Sequence, residues 1–125
     1  MVSFTAALSV LAVAAGIVGA APVVERGSYT GKATYFYQGG QAGACEHYNS
    51  DSSKVVALDS RLYNYSYCGK KVVITNTANG KTVVATVADE CPGCSSTYSL
   101  DLSVGAFTAI GNENTGVLPI TWYFE

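Results

Sequence analysis

Val87-Ala88-Asp89-Glu90-Cys91-Pro92-Gly93-Cys94, with Leu100-Asp101-Leu102-Ser103 a few residues on, is the most informative stretch of the 125-residue chain. The run from Thr82 reads as a strand that ends on an acid, Asp89. Asp101 stands between two leucines, so it is expected to be half-buried and held by hydrogen bonds. Half-buried acids tend towards raised pKa values, which suits a general acid. A plainer role stands beside this for each acid: Asp101 tying down the approach to a helix, and Asp89 accepting backbone N–H bonds in a turn. Between them, Cys91-Pro92-Gly93-Cys94 resembles a redox or metal motif in spacing alone. A zinc ribbon wants a second Cys-x-x-Cys pair, and a thioredoxin-like site wants a βαβ frame; the sequence offers neither. A local disulfide tightening the turn after Asp89 is the simpler reading.

Outward from this stretch, short strands dominate. Tyr29 to Tyr37 is rich in aromatic and β-branched residues and closes on Gly39-Gly40. Period 2 puts Thr34 and Phe36 on one face and Ala33, Tyr35 and Tyr37 on the other. Lys54 to Leu58, Lys71 to Asn76, Thr82 to Asp89 and Val117 to Phe124 are the other strand candidates. Asn79-Gly80 between the third and fourth predicts a hairpin with a type I′ turn. One helix is expected, capped by Ser103, with Val104, Phe107 and Ile110 at helical spacing and Gly111 past its end. The pattern means an all-β sandwich or barrel with one short helix, and does not choose between the two.

Residues 1–20 carry no charge and hold an apolar core that ends in Val18-Gly19-Ala20, as a signal peptide would. The run lacks a basic n-region, and a membrane anchor or a buried helix are the alternatives; its apolar length is short of the roughly 20 residues a bilayer span needs. Cleavage after Ala20 leaves about 105 residues, enough for one domain. Residues 21–28 read as a flexible tail and residues 29–125 as the folded domain. A net charge of −2 argues against a nucleic-acid partner. Four cysteines in a secreted chain suggest two disulfides, and the sequon Asn64-Tyr65-Ser66 fits the same compartment.

Other catalytic equipment is sparse. His47 is the sole histidine and reads as a solvated loop residue. No serine-hydrolase elbow, zincin helix or phosphate loop appears, so no metal and no cofactor are expected. Asp89 and Asp101 could together supply the two carboxyls of a glycoside hydrolase, but their spacing in sequence does not fix their separation. Nine tyrosines and Trp122 offer flat amphipathic surface for sugar rings, with Tyr35, Tyr37, Tyr48 and Tyr98 as binding candidates. The competing reading is that strand aromatics such as Tyr35, Trp122 and Phe124 are core.

Taken in order, Gly31-Lys32-Ala33-Thr34-Tyr35-Phe36, Gly43-Ala44-Cys45, Val55-Val56-Ala57-Leu58, Cys68-Gly69-Lys70, Val87 to Pro92, Leu100 to Ser103, Ala106-Phe107 and Ile120-Thr121-Trp122 resemble the double-psi β-barrel of expansins, barwin and rare lipoprotein A. The likeness runs from about Tyr29 to Phe124 and is strongest to loosenins, small fungal expansin-like proteins made of this barrel alone. It implies a single domain, a six-stranded double-psi β-barrel with one short helix, whose open groove receives a polysaccharide. It implies groove positions for Thr34, Asp89 and Asp101, with a Thr34 hydrogen bond orienting Asp101. It also implies disulfides from Cys45 to Cys68 and from Cys91 to Cys94.

The related endoglucanases carry a further aspartate near the first strand as catalytic base, whereas Thr34-Tyr35-Phe36-Tyr37 has no acid. The resemblance therefore implies a secreted, extracellular, monomeric protein that binds cellulose, chitin or another wall glycan and loosens it without hydrolysis. It is free of the membrane once its leader is cleaved. A secreted protease inhibitor or effector-type binding protein on the same barrel is one alternative, and a weak endoglucanase or lytic transglycosylase is another.

Overall fold

The computed structural model describes residues 27–125. The expected signal peptide, and residues 21–26 of the expected tail, lie outside the described residues. Six strands follow in order: β1 (Tyr29–Phe36), β2 (Val55–Asp59), β3 (Lys71–Asn76), β4 (Thr82–Cys91), β5 (Leu100–Ser103) and β6 (Leu118–Phe124). Helix α1 (Val104–Ile110) joins β5 to β6, and 3₁₀ turns occupy Tyr65–Tyr67 and Glu113–Thr115. The strands close into a barrel in the order β1-β5-β2-β4-β3-β6. The β1–β5 and β2–β4 pairs are parallel and the other four antiparallel, as expected for the double-psi β-barrel.

Alternation decides what faces inward. Val56 and Leu58 on β2, Leu100 and Leu102 on β5, Ile74 on β3 and Trp122 on β6 are all fully buried. Each such side chain stabilises the fold by about 1.5–3 kcal/mol relative to exposure. Turning Leu100 and Leu102 inward necessarily turns Asp101 outward. Trp122 satisfies its indole N–H by donating to the Tyr98 carbonyl at 2.8 Å. Helix α1 buries Ala106, Phe107 and Ile110 against the barrel. Ser103 caps it, its Oγ accepting the Ala106 N–H at 3.3 Å and the Val55 N–H at 3.1 Å. The cap thus ties the helix start to β2.

The structure differs from the pattern reading in three places. Leu100–Ser103, read as an approach to the helix, is a full strand, so pattern supplied five strands and the sixth came with the family likeness. Four residues are too few for a visible period. The β3–β4 hairpin forms, but only Gly80 of its turn has positive φ (79°), so it is not type I′. Asn76 instead accepts the Gly80 N–H at 2.7 Å, closing a longer loop. Gly111 does follow the helix, yet its φ of −165° is extended. It is small because a Cβ there would meet Leu118 Cδ1 at 2.6 Å.

Both disulfides join the pairs implied by the family likeness, Cys45 to Cys68 and Cys91 to Cys94.

Candidate functional site

Strand register builds the site. Thr34 on β1 is opposite Asp101 on β5, Asp101 is opposite Ala57 on β2, and Ala57 is opposite Asp89 on β4. One row across four neighbouring strands therefore reads Thr34, Asp101, Ala57, Asp89. It forms the floor of an open cavity of about 350 Å³, walled by Lys32 and Phe36 on one side and the Pro92–Ser95 loop on another. A second cavity, of about 470 Å³, shares Lys32 and Ser95 with the first, so the two abut as one trench over β1.

The row depends on an irregularity in β4. Val83, Ala85 and Val87 are buried at every second position, which would make Asp89 the next inward residue. A register shift between Val56 and Ala57 leaves Ala88 as an extra residue, and Asp89 is turned to pair with Ala57. This is a β-bulge re-aiming a functional side chain. Ala57 matters because it is small: it leaves open floor between the two acids. Asp89 and Asp101 are two inter-strand spacings apart, roughly 9–10 Å between backbones.

The acids are held differently. Asp101 Oδ1 accepts the Thr34 hydroxyl at 2.9 Å. Burial pushes its carboxyl above the usual aspartate range, the Thr34 hydrogen bond opposes that rise, and the charge of Asp89 adds to it. Asp89 Oδ1 accepts two backbone N–H groups, from Ala44 at 2.7 Å and from Glu90 at 2.8 Å. The loop that brings Ala44 passes so close that a Cβ on Gly43 would lie 2.5 Å from the Ala88 carbonyl oxygen and 2.9 Å from Asp89 Cγ. Cys45 then bonds the Ala88 carbonyl through its N–H and continues into the disulfide with Cys68.

Thr34, Asp89 and Asp101 are thus brought together, while the four tyrosine candidates are not. Tyr35 faces the opposite side of β1, its ring 4.9 Å from that of Phe107, so it packs against the core. Tyr37 is 62% exposed and lies beside Glu113, whose carboxylate raises its phenol pKa. Tyr48 projects from the β1–β2 loop at 76% exposure. Tyr98 stacks on Tyr29, ring centroids 4.4 Å apart. None of the four lines the cavity over Asp101. His47 lies away from it as well, at a separate cavity of about 540 Å³ beside Val55 and Val87.

Sequence reading passed over three contributors. Ala57 is hidden in the uniformly buried run Val55–Asp59. The Ala44 N–H carries no side-chain signal, although Gly43 beside it marks a close approach. Asp59, 1% exposed, is gripped by Arg61 through Nε–Oδ2 at 2.8 Å and Nη2–Oδ1 at 2.9 Å. That bidentate bond holds the Asp59 carboxyl below its usual range. Arg61 Nη2 also donates to the Cys94 carbonyl at 3.2 Å, tethering the wall of the trench.

A double-psi β-barrel family model described as lytic transglycolase matches residues 28–122. Kiwellin from Actinidia chinensis var. chinensis is 37% identical over 70% of this chain and 49% of that protein. The chain spans about half the length of the curated plant relatives it matches. Among solved structures, an expansin mutant from Clavibacter michiganensis in complex with cellohexaose is similar at TM-score 0.69 and 32% identity, over 78% of this chain and 50% of that one. A Streptomyces papain inhibitor is similar at TM-score 0.68 and 32% identity, over 78% of this chain and 93% of that one.

Proposed function

The chain belongs to the double-psi β-barrel family described as lytic transglycolase, of which expansin-like barrels are part, and from that premise we propose a secreted protein that binds a polysaccharide along the trench and loosens it without hydrolysis. The observation that carries this reading is the registered row of Thr34, Asp101, Ala57 and Asp89 on an open floor. Two carboxyls and a hydroxyl with an alanine gap between them offer hydrogen bonds to successive sugar hydroxyls. Such bonds compete with those that hold one glycan chain to the next. Cellulose, chitin or a related wall glycan are the substrates proposed, the first supported by the cellohexaose bound to the similar expansin.

Hydrolysis with inversion needs an acid and a base about 6.5–9.5 Å apart. Asp101, with its raised pKa, has the character of the acid. Asp89 is held in one orientation by its Oδ1, which accepts two backbone N–H groups and leaves Oδ2 for the ligand. With Oδ2 the one Asp89 oxygen left open, we read that acid as a partner for sugar hydroxyls and not as a base for water. Purified protein is expected to swell filter paper or cotton with no matching release of reducing sugar. Sugar release in proportion to swelling would remove the non-hydrolytic part, and no effect on any wall glycan would remove the whole. Product ends distinguish the transglycosylase alternative, since that reaction leaves anhydro sugars detectable by mass spectrometry.

A second reading, a secreted protease inhibitor, is favoured by the near full-length similarity to the Streptomyces papain inhibitor. Inhibition would be carried by exposed loops such as the one presenting Tyr48, anchored at Cys45. Asp101→Asn separates the two: it impairs polysaccharide action and spares inhibition of papain.

A further inference from the structure

The 3₁₀ turn Tyr65–Tyr67 on the β2–β3 connection is started by Asn64, whose side-chain Oδ1 accepts the Ser66 N–H at 2.9 Å. Asn64 and Ser66 are both exposed, and Tyr65 between them is 59% exposed. These three residues are the sequon, and the trench does not use them: none lines the cavity over Asp101. We propose that Asn64 is an N-linked glycosylation site, with the glycan standing on the flank of the barrel. The inference rests on the reading of residues 1–20 as a secretory leader.

Three features of the fold meet what the modification needs. The first is access, since a bulky glycan is tolerated only on an exposed loop. The second is local geometry. Asn64 has extended backbone, φ −147° and ψ 138°, and the turn brings the residue two positions on back against its carboxamide. Asn64 Nδ2 has no hydrogen-bond partner among the described residues, so it carries no structural duty that a glycan would break. The third is what surrounds it. The segment is pinned by Arg61, bonded to Asp59 and to the Cys94 carbonyl, and by Cys68, bonded to Cys45. A glycan at Asn64 therefore stands on an anchored segment outside the trench, where the exposed Tyr65 ring can carry the apolar face of its first sugar.

The step requires a lipid diphosphate-linked oligosaccharide and its transferase in the secretory compartment. The Asn64 Nδ2 to sugar C1 bond forms while the bond from C1 to the diphosphate oxygen breaks. The lipid diphosphate leaves, and the proton lost from Nδ2 passes to a base of the transferase.

The test expresses the full chain in a yeast secretory host in two forms, one with its own first twenty residues as the only leader and one behind the host's leader. Secreted protein is weighed intact before and after peptide-N-glycosidase F, and the peptide containing residue 64 is sequenced. The expected result is a heterogeneous mass excess that the enzyme removes, converting Asn64 to Asp. Asn64→Gln and Ser66→Ala should each abolish the excess, and Ser66→Thr should retain it. If the host-led form is secreted with Asn64 unmodified, the site is overturned. If that form is glycosylated while the native-led form stays in the cell, the site stands and the secretory reading falls.

Discussion

Thr34 and Asp101 are register partners on the parallel β1–β5 pair, and their side chains meet through a 2.9 Å bond from Oγ1 to Oδ1. The bond favours the charged carboxylate, against the burial that disfavours it. Thr34→Val keeps the shape and removes the donor. The Asp101 titration, followed by carboxyl carbon NMR, is expected to move further upward, and polysaccharide loosening to fall several-fold. A titration that moves downward would mean the hydroxyl does not orient the acid.

Asp101 also makes stability depend on pH in a defined direction. Its folded pKa is raised, so the native state binds protons that the unfolded chain does not, in the window above the ordinary aspartate pKa. The stabilisation is complete below the unfolded value and is lost as pH rises through the folded one. Asp101→Asn removes this loss. The variant is expected to melt at or above the wild type at neutral pH, and the difference to shrink as pH falls below the ordinary aspartate range. Melting curves at neutral and acid pH check it; a variant that is less stable at neutral pH contradicts the sign.

Ala57 separates the two acids on the trench floor. Ala57→Val suits a strand but raises the floor. Binding to cellulose or chitin, measured by pull-down, is expected to weaken about tenfold, a loss of about 1.4 kcal/mol. The melting temperature should change little. Unchanged binding would place the glycan elsewhere on the barrel.

Gly43→Ala places a methyl 2.5 Å from the Ala88 carbonyl oxygen and against Asp89, where backbone must give way. It is expected to destabilise by about 1–3 kcal/mol in urea unfolding and to impair loosening as well. Gly93→Ala, where nothing lies within 4 Å, serves as the control for stability and should be near neutral in urea unfolding.

Much of this was legible in the residues themselves. Ser103 as cap, the helix from Val104 to Ile110 and the inward Leu100 and Leu102 all follow from local chemistry with a short range. The meeting of Asp89 with Asp101 did not, because it is set by strand pairing between segments distant in sequence. The family likeness alone carried it. The outward turn of Asp89 was harder still, since the alternation of Val83, Ala85 and Val87 points it inward and only the extra residue Ala88 reverses the phase. The placement of the tyrosines away from the cavity over Asp101 was hidden for the opposite reason. Composition counts rings without their directions, and Tyr35 spends its ring on Phe107.

Every one of the six strands is hydrogen-bonded on both sides, β6 returning to β1 to complete the circuit. Among the described residues no strand is therefore an edge strand along its whole length, which limits the backbone groups on which an incoming peptide can add itself. Crowded at high concentration, such barrels offer one another little strand edge to extend into fibres, and contacts between them fall mainly to side chains.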